Sequence, residues 1–180
     1  MSTSLRASDV LFNDSSTQST ASKVGQVVGA TVTATIAVNT ASTWTDLAGM
    51  SVTITPKSTS SKILVMYSTH LSGSSNAQGT ITNKVTRILR NGSVIGAANA
   101  RGASICGASA GAPTFDATTG STHMNMFLDS PSTTSAVTYK IQLYSEGAAN
   151  IAGGTYNTNY LSYTIGLCSP STITVIEVLP

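Results

Sequence analysis

The stretch Lys84-Val-Thr-Arg-Ile-Leu-Arg-Asn-Gly-Ser-Val-Ile-Gly96 carries the clearest structural signal in this chain. Successive side chains of a β-strand point to opposite faces, so Thr86, Ile88 and Arg90 are expected to share one face. The next two residues, Asn91-Gly92, tolerate the positive φ angles that a tight type I′ turn requires. The stretch therefore predicts a β-hairpin that turns at Asn91-Gly92.

The rest of the chain repeats this pattern of short β-branched runs separated by Ser, Thr, Gly and Asn. No window has the apolar period of a helix, and the strand-like runs number about eight to ten, as in a sandwich. The most regular runs lie at residues 27–38, 52–56, 62–67, 122–128, 138–144, 161–165 and 172–179. We therefore predict an all-β fold: an antiparallel jelly-roll-like β-sandwich over residues 24–180, preceded by an extended N-terminal arm over residues 1–23.

Some of these runs also predict which side chains share a face. The run Lys62-Ile-Leu-Val-Met-Tyr67 is almost continuously apolar, which is typical of a central strand covered on both faces. Two other runs alternate, and each is expected to place three side chains on one face. These are Tyr139, Ile141 and Leu143, expected inward, and Met124, Met126 and Leu128.

The first 23 residues differ in composition from the sandwich region. Val10, Leu11 and Phe12 form a short apolar patch, and residues 13–22 are polar and rich in turn formers. In a solvated tail these apolar side chains would lose the favourable free energy of burial. We predict that residues 1–23 form an anchoring arm that docks on another subunit through Val10, Leu11 and Phe12. The alternative is a frayed tail.

Charged residues are scarce and scattered. Only 9% of the 180 residues are charged, against about a quarter in ordinary soluble domains, and the net charge is +2. A nucleic-acid interface needs a broad basic face with aromatic platforms, but Arg87 and Arg90 fall on opposite faces of one strand. No run of about 18 apolar residues is present, as a membrane-spanning helix would need. The sequence thus predicts neither nucleic-acid binding nor membrane insertion.

The chain offers no group of residues that indicates catalysis or a cofactor. Gly107-Ala-Ser-Ala-Gly111 matches the Gly-x-Ser-x-Gly hydrolase pattern, but no helix is expected after it, so chance explains the match. His70 and His123 lack further ligands at the spacing that a zinc site requires. We therefore predict no enzymatic activity, catalytic residue, cofactor or metal site. Cys106 and Cys168 permit one disulfide bond, and the sequence leaves open whether it forms.

Tyrosines are concentrated near the C-terminal end of the sequence, where four of the six lie between residues 144 and 163. Exposed aromatic side chains near loops often contact sugar rings or protein partners. Tyr156 and Tyr160 are therefore the candidates for contact with a receptor or a host-surface glycan. Tyr144 and Tyr163 are expected to pack on strand faces instead.

Several stretches together resemble a known protein family. They are Val10 to Ala21, Val52 to Val65, Arg87 to Ser93, Leu128 to Lys140 and Ser171 to Val178. These stretches are similar to segments of tailed-bacteriophage virion structural proteins, which are tail-fibre-like or surface β-sandwich proteins of phages of aquatic bacteria. In phage tail-fibre domains a Gly often follows the Asp of the first stretch, whereas this chain has Ser15 after Asp14.

The resemblance implies a non-enzymatic structural protein of the virion. The most direct expectation is a tail-fibre or tail-associated protein whose arm attaches to the virion and whose displayed sandwich contacts the host surface, including its glycans. The alternative is a capsid decoration (cement) protein that clamps capsid subunits. The low charge, the Gly- and Ala-rich residues 97–120 and the resemblance together predict a homotrimer that binds other virion proteins. A glycan-cleaving enzyme is disfavoured because the sequence indicates no facing pair of acids.

Overall fold

The structure is a computed structural model, and its described part consists of β-strands and the short turns between them. It describes residues 10–11, 17–18, 23–33, 36–38, 43–72, 84–96, 104–106, 120–145, 154–156 and 170–180. The strands in these ranges are β1 (Val10–Leu11), β2 (Thr17–Gln18), β3 (Val24–Val32), β4 (Ile36–Val38), β5 (Thr45–Ile54), β6 (Lys62–Ser72), β7 (Lys84–Arg90), β8 (Ser93–Ile95), β9 (Ser104–Cys106), β10 (Gly120–Asp129), β11 (Val137–Ser145), β12 (Gly154–Tyr156) and β13 (Ser171–Val178). No described residue is helical.

Two antiparallel sheets form the body of the protein. The larger sheet contains β3, β13, β6, β10, β12 and β4, and the smaller sheet contains β5, β11, β7, β8 and β9. In the larger sheet, Val65 of β6 pairs with both Val175 of β13 and Phe127 of β10, so β6 lies between these strands. In the smaller sheet, β11 lies between β5 and β7 in the same way. Strands β1 and β2 form a separate two-stranded sheet.

The inward faces of the two sheets share one hydrophobic core. Alternate residues of β6, β13, β5 and β11 are buried there, as period-2 alternation predicts. The core includes Val52, Ile54, Ile63, Val65, Tyr67, Ile88, Tyr139, Ile141, Leu143, Ile173 and Val175. The prediction of an all-β antiparallel sandwich is therefore confirmed, as is the inward position of Tyr139, Ile141 and Leu143. The jelly-roll connectivity and the N-terminal arm stay predictions.

The hairpin between β7 and β8 forms as the sequence predicts. Asn91 has a φ of 48° and Gly92 a φ of 87°, the left-handed values that a type I′ turn requires. Arg90 pairs with Ser93 across this two-residue loop. Asn91 also ties the turn to β11, because its side-chain oxygen accepts a hydrogen bond from the Thr138 N–H at 2.8 Å. The turn is thus fixed by both backbone preference and a contact to the neighbouring strand.

Strand β5 runs through Asp46 and Gly49, two residue types that are common in turns. The strand contains a bulge between Asp46 and Ser51. Lys140 pairs with Ser51, while Gln142, only two residues on, pairs with Asp46. Gly49 has a φ of 78°, and a Cβ there would lie 2.7 Å from a methyl group of Val32. A glycine therefore supplies the left-handed conformation and the close approach of β3 without ending the strand.

One buried hydrogen bond spans the two sheets and leads to a stability prediction. The hydroxyl groups of Tyr67 in β6 and Thr86 in β7 lie 2.7 Å apart. We expect Tyr67→Phe to lower the free energy of unfolding by about 1–2 kcal/mol, because Thr86 then loses this buried partner. Urea denaturation measures the loss.

The control for this prediction is Thr53→Val, which removes a hydroxyl from an exposed pair. The hydroxyl groups of Thr53 and Thr138 lie 2.8 Å apart on the outward side of the smaller sheet. Water replaces such a bond, so the expected change in the free energy of unfolding is within about 0.5 kcal/mol. Equal losses in the two variants would contradict the importance of burial at Tyr67.

Candidate interaction surface

The outward side of the larger sheet presents a continuous set of side chains that we call the outer face. Residues paired across neighbouring strands lie on the same face of a sheet. Three rows of paired residues therefore cross β3, β13, β6 and β10. The rows are Val27, Ile176, Leu64 and Leu128; Gly29, Thr174, Met66 and Met126; and Thr31, Thr172, Ser68 and Met124.

The outer face is uncharged, and large apolar side chains are exposed on its two flanking strands, β3 and β10. The exposed fractions are 59% for Val27, 74% for Met124, 67% for Met126 and 48% for Leu128. None of the side chains in the three rows carries a charge. On the same face Lys62 lies two residues before Leu64, at the rim of this apolar area. Contiguous exposed apolar patches with polar rims are typical of protein interaction sites.

The arrangement of β10 and β6 explains why this face is apolar. Asn125, Phe127 and Asp129 occupy the inward side of β10, where Phe127 packs against the core and Asp129 is buried. The alternate residues, Met124, Met126 and Leu128, must then point outward. The prediction that these three side chains share a face is confirmed, and the shared face is the exposed one.

The interpretation of residues 62–67 as a strand covered on both faces is wrong for its outward side. Ile63, Val65 and Tyr67 are buried in the core, while Leu64 and Met66 are only half-buried. The continuous apolar run therefore reflects two different demands. The inward residues fill the sandwich, and the outward residues belong to the exposed outer face.

A groove of about 430 Å³ lies on the outer face along β10, β6 and β13. Its lining includes Met66, Ser68, Met124, Met126, Thr172 and Thr174. Methionine side chains are unbranched and polarizable, so they adapt to the shape of a partner. The threonine hydroxyls offer hydrogen bonds without charge. The groove therefore suits an uncharged, mainly apolar partner.

A buried ion pair fixes the end of β10 behind this face. Asp129 accepts hydrogen bonds from Nη1 of Arg90 at 2.9 and 3.0 Å and from the Tyr139 hydroxyl at 2.7 Å. Burial and the contact with Asp129 both raise the pKa of Tyr139, so its hydroxyl stays protonated and donates. The network joins β10 of the larger sheet to β7 and β11 of the smaller sheet.

A second buried carboxylate, Glu177, fixes β13 and the start of β3. Glu177 accepts hydrogen bonds from the Lys57 N–H at 2.6 Å and from Nε2 of Gln26 at 2.9 Å. Burial raises the pKa of Glu177, but the hydrogen bonds outweigh it and hold the pKa below its ordinary value. A Cβ at Gly25 would lie 2.7 Å from Oε2 of Glu177, so a larger residue there would push the carboxylate away from its hydrogen-bond donors. Strand β13, whose outward residues belong to the outer face, is therefore held by charge-assisted hydrogen bonds.

The outward side of the smaller sheet has a different character, since its charges are paired with one another. Asp46 accepts hydrogen bonds from Lys140 and Gln142, both at 2.6 Å, and these bonds lower its pKa. The guanidinium of Arg87 lies 3.9 Å from the ring centroid of Trp44. The charged groups of Asp46, Lys140 and Arg87 therefore have partners within this sheet. The outer face of the larger sheet is the stronger candidate for binding because its exposed groups are apolar.

Only some of the site residues predicted from the sequence lie within the described structure. Val10 and Leu11 form β1 and pair with Gln18 and Thr17 of β2, while Phe12 lies outside the described residues. Tyr156 ends β12, where it pairs with Leu71 of β6 and Ile36 of β4, and Tyr160 lies outside the described residues. The arm and glycan assignments therefore stay predictions.

The described residues also bear on the other sequence candidates. Cys106 ends β9 and pairs with Lys84, while Cys168 lies outside the described residues, so their disulfide bond is untested. Within the described ranges, no three His, Cys, Asp or Glu side chains are placed to hold a metal ion. The same ranges contain no helix that is long and apolar enough to cross a membrane.

Comparison with known proteins adds no family to this description. No protein-family model matches the chain, and no curated protein matches it. The candidate site is therefore the outer face, whose residues are not among the site residues predicted from the sequence. The sequence patterns that could have indicated this face are the alternation of Met124, Met126 and Leu128 and the apolar run at residues 62–67.

Proposed function

We propose that this chain is a non-enzymatic structural protein of a bacteriophage virion, of the tail-fibre or tail-associated kind, which assembles through its outer face. The observation that carries the assembly role is the uncharged apolar surface exposed by Val27, Met124, Met126 and Leu128. The resemblance of the sequence motifs to phage virion proteins supports the setting. A β-sandwich with one exposed apolar face suits a protein whose role is to assemble with other proteins.

Burial of this face favours assembly, especially in many copies. Complete burial of an exposed methionine or leucine side chain contributes about 1.5–3 kcal/mol before ordering costs. Met124, Met126 and Leu128 lie side by side on one strand, so a single partner surface covers them together. On a particle with many copies, such contacts reinforce one another. A homotrimer bound to other virion proteins is the assembly that we propose.

The proposal assigns separate roles to the ends of the chain. Residues 1–23 attach the protein to the virion through Val10, Leu11 and Phe12. The jelly-roll-like sandwich of residues 24–180 is displayed, and Tyr156 and Tyr160 contact a host-surface glycan. These roles rest on the sequence pattern and the resemblance.

Immunogold labelling of purified virions tests the proposed function. We expect gold particles on the tail. Labelling of the capsid shell would instead favour the decoration protein that clamps capsid subunits. Virions without any label, from a lysate in which the protein is abundant, would contradict a structural role.

A surface variant tests whether the outer face carries assembly. We expect Met126→Lys to reduce incorporation into particles at least about 10-fold, because a buried unpaired ammonium group is strongly disfavoured. Met126 is 67% exposed in the single chain, so its replacement should leave the melting temperature almost unchanged. Quantitative immunoblots of purified particles measure incorporation.

The matched control is Thr53→Lys, which adds the same charge on the outward side of the smaller sheet. Thr53 is exposed and pairs with Thr138. Normal incorporation of this control is expected. Equal loss in both variants would show that added charge, rather than the outer face, determines assembly.

A further inference from the structure

We propose that copies of this chain join edge to edge, with β10 of one copy pairing antiparallel with β3 of the next copy. This contact, which we call the edge junction, continues the larger sheet from copy to copy through backbone hydrogen bonds. It leaves the outer face free to bind other virion proteins. The inference rests on the proposed function in one respect, because the homotrimer sets the number of joined copies at three.

Strands β3 and β10 are the two edges of the long-stranded part of the larger sheet. Among the described strands, β10 pairs only with β6, and β3 pairs only with β13. Such edges carry N–H and C=O groups that can pair with a strand of another chain. The start of β3 is partly covered, because Nζ of Lys57 donates to the Gly25 carbonyl at 3.1 Å. Within the described part of the chain, the open edge of β3 therefore begins at Val27.

The residues of the outer face also direct their backbone groups toward these two edges. The Met126 N–H donates to Oδ1 of the adjacent Asn125 at 2.7 Å in an exposed position, so it is directed to the side of β10 away from β6. Backbone direction alternates along a strand, so Met124 and Leu128 point the same way. For residues on one face of an antiparallel sheet, this direction reverses from each strand to the next. Counted from β10 through β6 and β13, the outward residues of β3 therefore point away from β13, and these are Val27, Gly29 and Thr31.

The two edges match each other in direction and in length. Because the four strands alternate in direction, β3 of the next copy lies antiparallel to β10 when the sheet is simply continued. The three rows of the outer face then run on across the edge junction. In this register Leu128 lies opposite Val27 of the next copy, Met126 opposite Gly29 and Met124 opposite Thr31. None of these six residues is charged or is a proline, so neither repulsion nor a missing N–H opposes the pairing.

The edges of the smaller sheet, by contrast, carry features that prevent such pairing. Strand β5 contains Asp46 and the bulge at Gly49, and β8 and β9 are three residues long each. Charges, bulges and short edge strands protect sheets against edge-to-edge association. The larger sheet has none of these features at residues 27–31 and 124–128. A contact between two different edges of identical copies closes into a ring when the rotation permits, and a ring of three is the proposed homotrimer.

Two substitutions at Met124 separate edge pairing from burial of the outer face. Met124→Ser and Met124→Pro both remove the exposed side chain, but only proline removes the N–H that points to the open edge. We expect wild-type protein and Met124→Ser to sediment as trimers at micromolar concentration. Met124→Pro should associate at least about 10-fold more weakly, because the edge loses a hydrogen bond and gains a bulky ring. Sedimentation velocity measures the association.

A pair of cysteines tests the register independently of any folding defect in the proline variant. In a chain with Cys106→Ser and Cys168→Ser, the changes Thr31→Cys and Met124→Cys place two thiols opposite each other, with Cα atoms about 5.5 Å apart across the edge junction. We expect oxidation with copper–phenanthroline to give disulfide-linked trimers on non-reducing gels. The matched control combines Thr31→Cys with Leu128→Cys. Its thiols are offset by about 14 Å along the strands and should not cross-link.

Several outcomes overturn the proposal. Monomeric wild-type protein, no cross-link in the matched pair, or equal cross-linking in the control would exclude the edge junction. Disulfide-linked dimers of Met126→Cys alone, in the same Ser background, would show that two β10 edges pair with each other instead. Equal loss of trimer in Met124→Ser and Met124→Pro would mean that side-chain burial joins the copies, which leaves the proposed function intact. Protein that trimerises through its edges but is absent from virions would contradict the proposed function alone.

Discussion

Replacing Asp129 with alanine is expected to lower the free energy of unfolding by about 3 kcal/mol, the low end of the cost of breaking a buried ion pair. This is a large part of the total stability of a typical domain, which is about 5–15 kcal/mol. Asp129 is 6% exposed and accepts hydrogen bonds from Arg90 and Tyr139. Its removal leaves the Tyr139 hydroxyl without its acceptor and leaves Nη1 of Arg90 with the more distant Ser130 carbonyl, at 3.5 Å.

The two donors differ in how well water can replace Asp129. The Arg90 side chain is 32% exposed, so part of its guanidinium can be hydrated, which is why we place the cost at the low end. The Tyr139 hydroxyl has no such escape, because Tyr139 is fully buried. Asp129→Asn should lose less than Asp129→Ala, since the amide oxygen can still accept from one donor.

Urea denaturation of the isolated protein measures the loss, and Asp46→Ala is the matched control. Asp46 also forms an ion pair, with Nζ of Lys140 at 2.6 Å, but its side chain is 50% exposed. Exposed pairs contribute about 0–1 kcal/mol, so the control should remain close to wild type. A loss at Asp129 no larger than at Asp46 would show that the buried network contributes little.

Local sequence patterns predict the structure correctly where it depends on neighbouring residues alone. The turn at Asn91-Gly92 follows from the backbone preferences of these two residues. The alternation of Tyr139, Ile141 and Leu143 follows from the period of a strand with one buried face. Such features are determined within a few residues of chain.

Features that depend on distant strands could not be predicted from the sequence. Alternation shows that Met124 and Met126 share a face, but it does not show whether that face is inward. Their direction is determined by Phe127 and Asp129, which find the core and Arg90 on the inward side. The candidate surface was therefore missed, although its residues were visible as a group.

The bulge at Gly49 is a second feature that depends on a distant strand. A glycine near an aspartate is typical of a turn. In the structure β5 continues because its pairing with β11 resumes on both sides of the bulge. The left-handed φ of Gly49 and its approach to Val32 involve a strand that no local pattern indicates.

Replacing Glu177 with glutamine is expected to lower the free energy of unfolding by about 2 kcal/mol near neutral pH. The amide oxygen of glutamine can still accept from the Lys57 N–H, but its NH2 group then faces Nε2 of Gln26. Rotating the Gln26 amide does not relieve this, because Nε2 also donates to the Thr55 carbonyl at 2.7 Å. In either orientation of the Gln26 amide, one hydrogen-bonding group therefore loses its partner: Nε2 of Gln26 or the Thr55 carbonyl.

The cost of Glu177→Gln should depend on pH in a defined direction. The folded protein holds the pKa of Glu177 below its ordinary value of 4.5, chiefly because the hydrogen bonds to its carboxylate overcome burial. A carboxyl with a depressed pKa stabilises the fold fully above its unfolded pKa. That contribution is lost as the pH falls through the lower, folded pKa.

Urea denaturation of both proteins between about pH 7 and pH 2.5 tests this dependence. The wild type should lose more stability than the variant below about pH 4.5, so the difference of about 2 kcal/mol narrows as the carboxylate is protonated. Other acids titrate in both proteins, and the subtraction removes them. A difference that stays constant over this range would mean that the charge of Glu177 is not what holds β13 to β3 and to the turn at Lys57. The variant's loss would then be attributable to packing alone.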